Sequence, residues 1–240
     1  MNKLNGLDLF SGIGGISIAL REWVCTVAFC EIDPYCQGVL LSRMFTGDLP
    51  CVPIWDDITT LDGLQFRKAV DIIYGGFPCQ DISIAGNGKG LAGERSGLFY
   101  EILRLCREIK PRFIFLENVP AITSRGGAEV VREITALGYD CRWCIISAAS
   151  VGAMHKRERW FLLAHSRCER FYERPHQSLQ PKIEKPKWKD NHQLCWGTLE
   201  SPLDRKGHGI PFQMDRIRGL GNSVVPAQAK KAFKILMGIK

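Results

Sequence analysis

Between Leu4 and Ser166 the sequence switches repeatedly between two periods. Short apolar runs (LNGLDLF, VCTVAFCEID, AVDIIYGGFP, PRFIFLENV) are each followed by stretches whose apolar residues recur at helical spacing (ISIALREW, PYCQGVLLSRMF, SGLFYEILRLCREI, EVVREITALG). Pro34 stands at the first position of one such helix, where its missing N–H costs nothing. Strands joined through helices must run parallel and be covered on both faces, so this rhythm predicts a doubly wound α/β domain. The last two apolar runs, CRWCIISAA and ERWFLLAHS, have no helix between them and are expected to form an antiparallel edge.

The rhythm stops near residue 165. Pro175, Pro181, Pro186 and Pro202 interrupt a segment of interleaved basic and aromatic residues (KIEKPKWKDNHQLCWG), and helical spacing returns only in PAQAKKAFKILMGI. The expected division is therefore 1–165, a short irregular segment 166–208, and a C-terminal segment 209–240. Charge follows the same division. Residues 1–153 hold 14 Lys and Arg against 17 Asp and Glu, a net −3, whereas residues 154–240 hold 18 against 8, a net +10. Such asymmetry suits a chain that holds a small molecule in one part and meets a polyanion with another, although a solvated basic surface would look the same.

A hydrophobic share of 45% belongs to a folded chain, and no run approaches the ~20 apolar residues that cross a bilayer. Met1–Asp8 leads directly into a strand without a signal-peptide pattern, so a soluble, cytoplasmic protein is expected. The 10 cysteines are scattered singly through apolar segments, as buried thiols are in a reducing compartment. Cys141 and Cys144 have CxxC spacing but no second pair, and the strand-like alternation around them argues against zinc; no metal is expected.

Four short motifs carry candidate chemistry. DLFSGIGG places glycines directly after a strand, where backbone can approach a ligand, and Glu31 and Asp33 end the next strand, where a carboxylate can bond ribose hydroxyls. That pattern alone fits NAD, FAD or S-adenosylmethionine. In GGFPCQDIS, Cys79 falls just past a strand at the edge where α/β folds bind ligands, with Pro78 fixing the chain direction before it. Taken alone, a structural cysteine fits as well. Glu117 and Asn118 of FLENV emerge at the same edge, as an acid or as a helix cap. Arg157 and Arg159 of HKRERWF alternate along a strand and are expected to point the same way.

DLFSGIGG, PCQDIS, ENV, the RER pair and the late LGNSVVP resemble, in order and strand position, the motifs of the cytosine-C5 DNA methyltransferases, over roughly Leu7–Leu163 and Gly209–Lys240. The resemblance implies a Rossmann-like methyltransferase fold, S-adenosylmethionine as methyl donor and double-stranded DNA as substrate. It assigns Cys79 to attack on C6 of a flipped-out cytosine, Glu117 to protonation of N3, and Arg157 and Arg159 to orienting the base and the nucleophile. It places Phe10, Gly12, Gly14 and Pro78 in the donor pocket, Glu31 on the ribose and Ile32 over the adenine. Asp57 and Ile58 fall on the adenine edge, with Leu98 and Asn222 completing the pocket. Ser83, Lys89 and Arg95 would meet DNA, as would Lys185, Lys187 and Lys189 of the basic segment.

The chain departs from that family in two respects. His155 stands where many members have glutamine, and only residues 166–208 are available where members carry a target-recognition domain. A minimal enzyme, an enzyme that needs a partner for DNA contact (or works beside a cognate restriction endonuclease), and a cofactor-binding form of low activity are all compatible with so short a region. A monomer close to the nucleoid is the expected state. The rival activities are RNA cytosine methylation on the same fold, nicotinamide-dependent redox chemistry, which leaves PCQ and ENV idle, and DNA binding without catalysis.

Overall fold

The computed structural model describes residues 3–78, 97–167 and 224–239. Its strands are β1 (Leu4–Leu9), β2 (Val24–Cys30), β3 (Ile54–Trp55), β4 (Ile72–Gly76), β5 (Phe113–Asn118), β6 (Tyr139–Ser147) and β7 (Glu158–Ser166). Among the described residues they form one sheet in the order β3-β2-β1-β4-β5-β7-β6. The first five run parallel, and β7 pairs antiparallel with both β5 and β6. The expected mostly parallel sheet with an antiparallel edge is thus what the chain forms. From β1 the chain first builds outward through β2 and β3, then returns to the other side through β4 and β5. That reversal leaves a crevice at the carboxyl ends of β1 and β4, the place where open α/β sheets take ligands.

The helices are α1 (Gly15–Leu20), α2 (Pro34–Phe45), α3 (Gly97–Ile109), α4 (Ile122–Arg125), α5 (Gly127–Ala136) and α6 (Pro226–Met237). On one face of the sheet, α3 and α5 bury Phe99, Ile102, Leu103, Cys106, Ile109, Val130 and Ile134 against Leu7, Leu9, Ile73 and Leu116. On the other, α1 and α6 bury Ile16, Leu20, Ala229, Ala232, Phe233 and Leu236 against Ile72, Phe115 and Phe161. These helices contribute residues at helical spacing, and β1, β4, β5 and β7 alternate between the two cores, which is why both periods are visible in the sequence. Phe233 meets Phe115 edge-on, with ring centroids 5.3 Å apart, and so locks α6 to the centre of the sheet.

β3 is not visible in the sequence. It is two residues long, too short for a period, and is held by the backbone bonds Phe29 N–H to Pro53 O (2.9 Å) and Glu31 N–H to Trp55 O (2.9 Å). Its consequence is to carry Asp56–Ile58 to the end of β2. Cys141 packs into the α3/α5 core with its Sγ 3.9 Å from Thr135 Oγ1, while Cys144 packs into the opposite core. An offset of three along a strand puts the two thiols on opposite faces, so their CxxC spacing brings no common ligand site together. No described helix is long and apolar enough to cross a membrane.

Two close backbone approaches set the crevice. A Cβ on Gly75 would lie 2.0 Å from the carbonyl oxygen of Leu9, and one on Gly76 would lie 2.7 Å from a carboxylate oxygen of Glu117. Gly75→Ala is therefore expected to force β1 and β4 apart and to destabilise the fold by at least ~1–3 kcal/mol, the usual cost of overpacking. The denaturant midpoint measures it, and an unchanged midpoint would show that the two strands can separate without loss.

Candidate active site

β5 ends in Glu117 and Asn118, and its pairing with β4 and β7 sets Glu117 beside Gly76 on one side and Phe161 on the other. The Glu117 carboxylate is 9% exposed and accepts from Arg159 Nε at 2.8 Å. Burial pushes its pKa up to about 7, against the opposing pull of Arg159 and Arg157. A carboxyl in that range exchanges a proton at neutral pH, which an exposed helix cap would not do. Asn118 does something different. Its Nδ2 donates to Phe77 O (3.0 Å) and its Oδ1 accepts Val119 N–H (2.8 Å). Together with the packing of Phe77 on Phe99, this fixes the backbone that leads through Pro78 towards Cys79. The sequence places Asn118 at this edge but gives no sign of the strap.

The two arginines are not equivalent. The amide of Ala148 bonds Lys156 O (2.8 Å) and Arg157 O (3.3 Å), which closes a turn, so β7 begins at Glu158. Arg157 therefore precedes the strand on which both arginines were expected. Gln228 of α6, fully buried, donates through Nε2 to Arg157 O (2.6 Å) and Ile146 O (2.8 Å), so the C-terminal helix positions this turn. Burial, then repulsion from Arg159, lowers the Arg157 pKa, while Glu117 opposes the shift. Both arginines thus lie within electrostatic reach of the same carboxylate.

At the neighbouring strand ends, Ser11 joins β1 to β2. Its Oγ donates to Asp8 O (2.8 Å) and its amide to Cys30 O (3.1 Å). Phe10 has φ +52°, Gly12 +51° and Gly14 +81°; a left-handed Phe is a strained residue, stored where the loop turns. Glu31 anchors that loop. Its Oε2 accepts Gly12 N–H (2.6 Å) and its Oε1 accepts Asp33 N–H (2.9 Å), leaving one lone pair on each oxygen for a ligand. Asp57 accepts from the amide and hydroxyl of Thr59 (2.9 and 2.8 Å), folding the chain so that Ile58 is buried beside the crevice.

These groups share one cavity of about 560 Å³. Phe10, Gly12, Glu31, Ile32, Asp57, Ile58 and Leu98 line it towards β2, and Pro78, Glu117, Asn118 and Arg159 line it towards β5. Ile32 is 72% exposed, an apolar side chain free to lie over a flat ligand. Gly14, expected in the pocket, is not on this wall: a Cβ there would meet Leu49 at 2.7 Å, so its left-handed turn serves the packing of α2 while Gly15 faces the cavity. Cys79, Ser83, Lys89, Arg95, Lys185, Lys187, Lys189 and Asn222 lie outside the described residues.

A profile of the C-5 cytosine-specific DNA methylases matches residues 4–209. The chain belongs to that family. This member of the C-5 cytosine methylase family is 33% identical to the Type II methyltransferase M.CviJI of Paramecium bursaria Chlorella virus IL3A over 228 residues, 95% of the chain and 58% of that protein. It is 34% identical to the Type II methyltransferase M.HhaI of Haemophilus parahaemolyticus over 168 residues, 68% of the chain and 49% of that protein. The S. pombe Dnmt2 methyltransferase superposes with a TM-score of 0.55 at 25% identity, over 70% of the chain and 51% of that structure. The chain thus spans about half the length of the curated relatives it matches.

Sequence reasoning assigned no role to Asp8, which proves to be the most deeply buried acid near the cavity, 1% exposed. Its Oδ2 lies 2.6 Å from Ser17 Oγ, and Ser17, Thr26 and Tyr74 form a ring of hydroxyls at 3.0, 2.8 and 2.7 Å. Ser17 Oγ donates to the Asp8 carboxyl, and the three hydroxyls share the remaining contacts among themselves. Burial, aided by the nearby Glu31 and opposed by hydrogen bonds from Ser17 and Ser11, pushes the Asp8 pKa up to about 8. The unfolded carboxyl loses its proton near pH 4. Asp8 therefore contributes stability that is complete below about pH 4 and is lost as pH rises to about 8, with a slope of at most ~1.4 kcal/mol per pH unit. Asp8→Asn cannot ionise and is expected to gain stability relative to the wild type across that window, as unfolding titrations at several pH values would record. A constant difference would mean that Asp8 stays ionised in the fold.

Proposed function

We propose that this chain methylates C5 of a cytosine flipped out of double-stranded DNA, with S-adenosylmethionine as donor and Cys79 as covalent nucleophile. The observation that carries the reading is the single cavity that joins an anchored acid and a glycine-rich turn at one end to a raised-pKa carboxyl at the other. Its volume is in the range of small-molecule sites. The donor set fits a nucleoside cofactor. Glu31 offers free lone pairs to ribose hydroxyls, Ile32 and Ile58 offer apolar faces to a purine, and the loop at Gly12 has open space beside its Cα.

S-adenosylmethionine, when bound, supplies an electrophilic methyl group. The rest of the chemistry falls to the chain. Cys79, following Pro78, adds its thiolate to C6 of the base, while Glu117 gives a proton to N3 and so takes up the charge the addition creates. Arg159 holds the Glu117 carboxyl in place through the 2.8 Å contact, and Asn118 holds the backbone ahead of Cys79 through Phe77 O. C5, now enamine-like, takes the methyl group, and the donor's sulfur keeps the electron pair of the broken S–C bond and leaves as a neutral thioether. Solvent takes the C5 proton, whose bonding pair restores the C5–C6 double bond and expels the Cys79 thiolate, while N3 returns its proton to Glu117. The net +10 of residues 154–240, with Lys185, Lys187 and Lys189 among its charges, serves DNA phosphates. The methylase acts as a monomer in the cytoplasm, beside the nucleoid.

Incubation with labelled S-adenosylmethionine and unmethylated DNA, followed by bisulfite sequencing, tests the reaction; transfer at a carbon other than C5 of cytosine would overturn it. Cys79→Ser is expected to abolish transfer and to lose the stable adduct with a 5-fluorocytosine duplex, because a hydroxyl is too weak a nucleophile at neutral pH. Retained transfer in that variant removes the covalent step. Glu117 is protonated below about pH 7, so single-turnover rates on the wild type should decline as pH rises through that value. Glu117→Gln should be slower by ~10²–10⁴-fold, the usual range for a lost general acid, and should lose that pH limb. An unaltered profile would assign the acid elsewhere.

A further inference from the structure

Arg104, on α3, lies outside the cavity wall and takes no part in the chemistry above, yet all three of its guanidinium nitrogens are engaged. Glu101 and Glu108, one turn to either side, hold the plane through Nε (2.6 Å) and Nη1 (2.9 Å). The opposite edge of the same plane donates to two backbone carbonyls of another segment, Ile58 O through Nη2 (2.8 Å) and Leu61 O through Nη1 (3.0 Å). Glu108 also accepts the amide of Gly63 (3.0 Å), and a Cβ on Gly63 would sit 2.5 Å from that carboxylate. Three backbone groups between residues 58 and 63 are thus fixed from α3. On the cavity side Asp57 and Ile58 form the wall, and the turn bonds from Thr59 to Asp57 tie them only to their own segment. A segment with two carbonyls bonded to one planar guanidinium that is itself held by two carboxylates resists rolling, and its two wall residues keep one orientation.

We propose that Arg104 is the positioning residue of the Asp57–Ile58 wall and thereby sets how well the cofactor pocket tells one purine from another. The inference rests on the cofactor reading given above. The network is legible only in three dimensions, since residues 58 and 104 are 46 positions apart. The wall itself is a short turn after a two-residue strand, and Arg104 is what ties that turn to α3. A lysine at 104 keeps the charge but, as a single ammonium, cannot reach both carbonyls while held between two carboxylates.

The test is calorimetric binding of S-adenosylhomocysteine and of its inosine counterpart, which carries a carbonyl in place of the 6-amino group, to the full chain. Wild type, Arg104→Lys and Arg104→Ala are compared, with thermal unfolding followed in parallel. Arg104→Lys should weaken S-adenosylhomocysteine binding about tenfold, the scale of one or two charge-assisted hydrogen bonds unmade. The preference for adenine over hypoxanthine should shrink with it. Should Arg104→Ala fail to fold, Arg104→Lys carries the comparison. A lower Tm with both affinities and their ratio unchanged would show Arg104 to be merely structural and overturn the proposal alone. A wild type that binds the adenine compound without preference removes the selectivity role. A wild type that binds neither compound sinks the cofactor reading, and this inference with it.

Discussion

How near β4 lies to its two neighbours at their carboxyl ends decides everything that gathers at the cavity. On one side the Leu9 carbonyl occupies the space where a side chain at residue 75 would begin, and on the other Glu117 occupies the space beside residue 76. Two successive glycines weaken a strand, by roughly 0.5–1 kcal/mol each relative to alanine elsewhere. Here that loss is offset by bringing the Phe10–Gly14 turn, the Pro78 approach and the Glu117 carboxyl to one crevice. A methyl group at 75 would push β1 away from β4, and one at 76 would displace the Glu117 carboxylate.

Three buried acids border that crevice, and each is handled by a different physical device. Asp8 is buried so deeply that loss of water raises its pKa to about 8 and favours its neutral form. Glu31 is held by two backbone amides. Glu117 is poised between burial and an arginine. A low-dielectric pocket cannot hold three like charges cheaply. Dividing the burden among neutralisation, amide donors and an ion pair lets the cavity keep one acid in reserve for proton transfer.

The sequence is most readable where period decides the outcome. β1, β2, β4, β5 and the helices between them follow from alternation and helical spacing, and the antiparallel edge follows from two strands without a helix between them. The convergence of Pro78, Glu117 and Arg159 on one edge is legible too, because each motif directly ends or begins a strand. The rest depends on relations that no local window holds. β3 is too short to have a period. Which glycine of SGIGG faces the cavity is settled by Leu49, 35 positions from Gly14. Arg157 leaves its strand because the Ala148 amide closes a turn on it. The hydroxyl ring around Asp8 draws on α1, β2 and β4 at once, and the Arg104 fork joins a helix to a wall that precedes it.

Helix α6 has a bearing on how the chain comes into being. Phe115 and Phe161, fully buried, lie under Phe233 and its neighbours, and Gln228 ties the turn ahead of β7. All the described strands of the sheet have been synthesised by residue 166, but α6 begins at Pro226. At ~5–20 residues per second, the intervening stretch takes several seconds to make. During that interval Phe115 and Phe161 lack the Phe233 contact they have in the fold. A chain at that stage is short of its aromatic cover, and α6 is the closure that shields those rings from neighbours on the polysome.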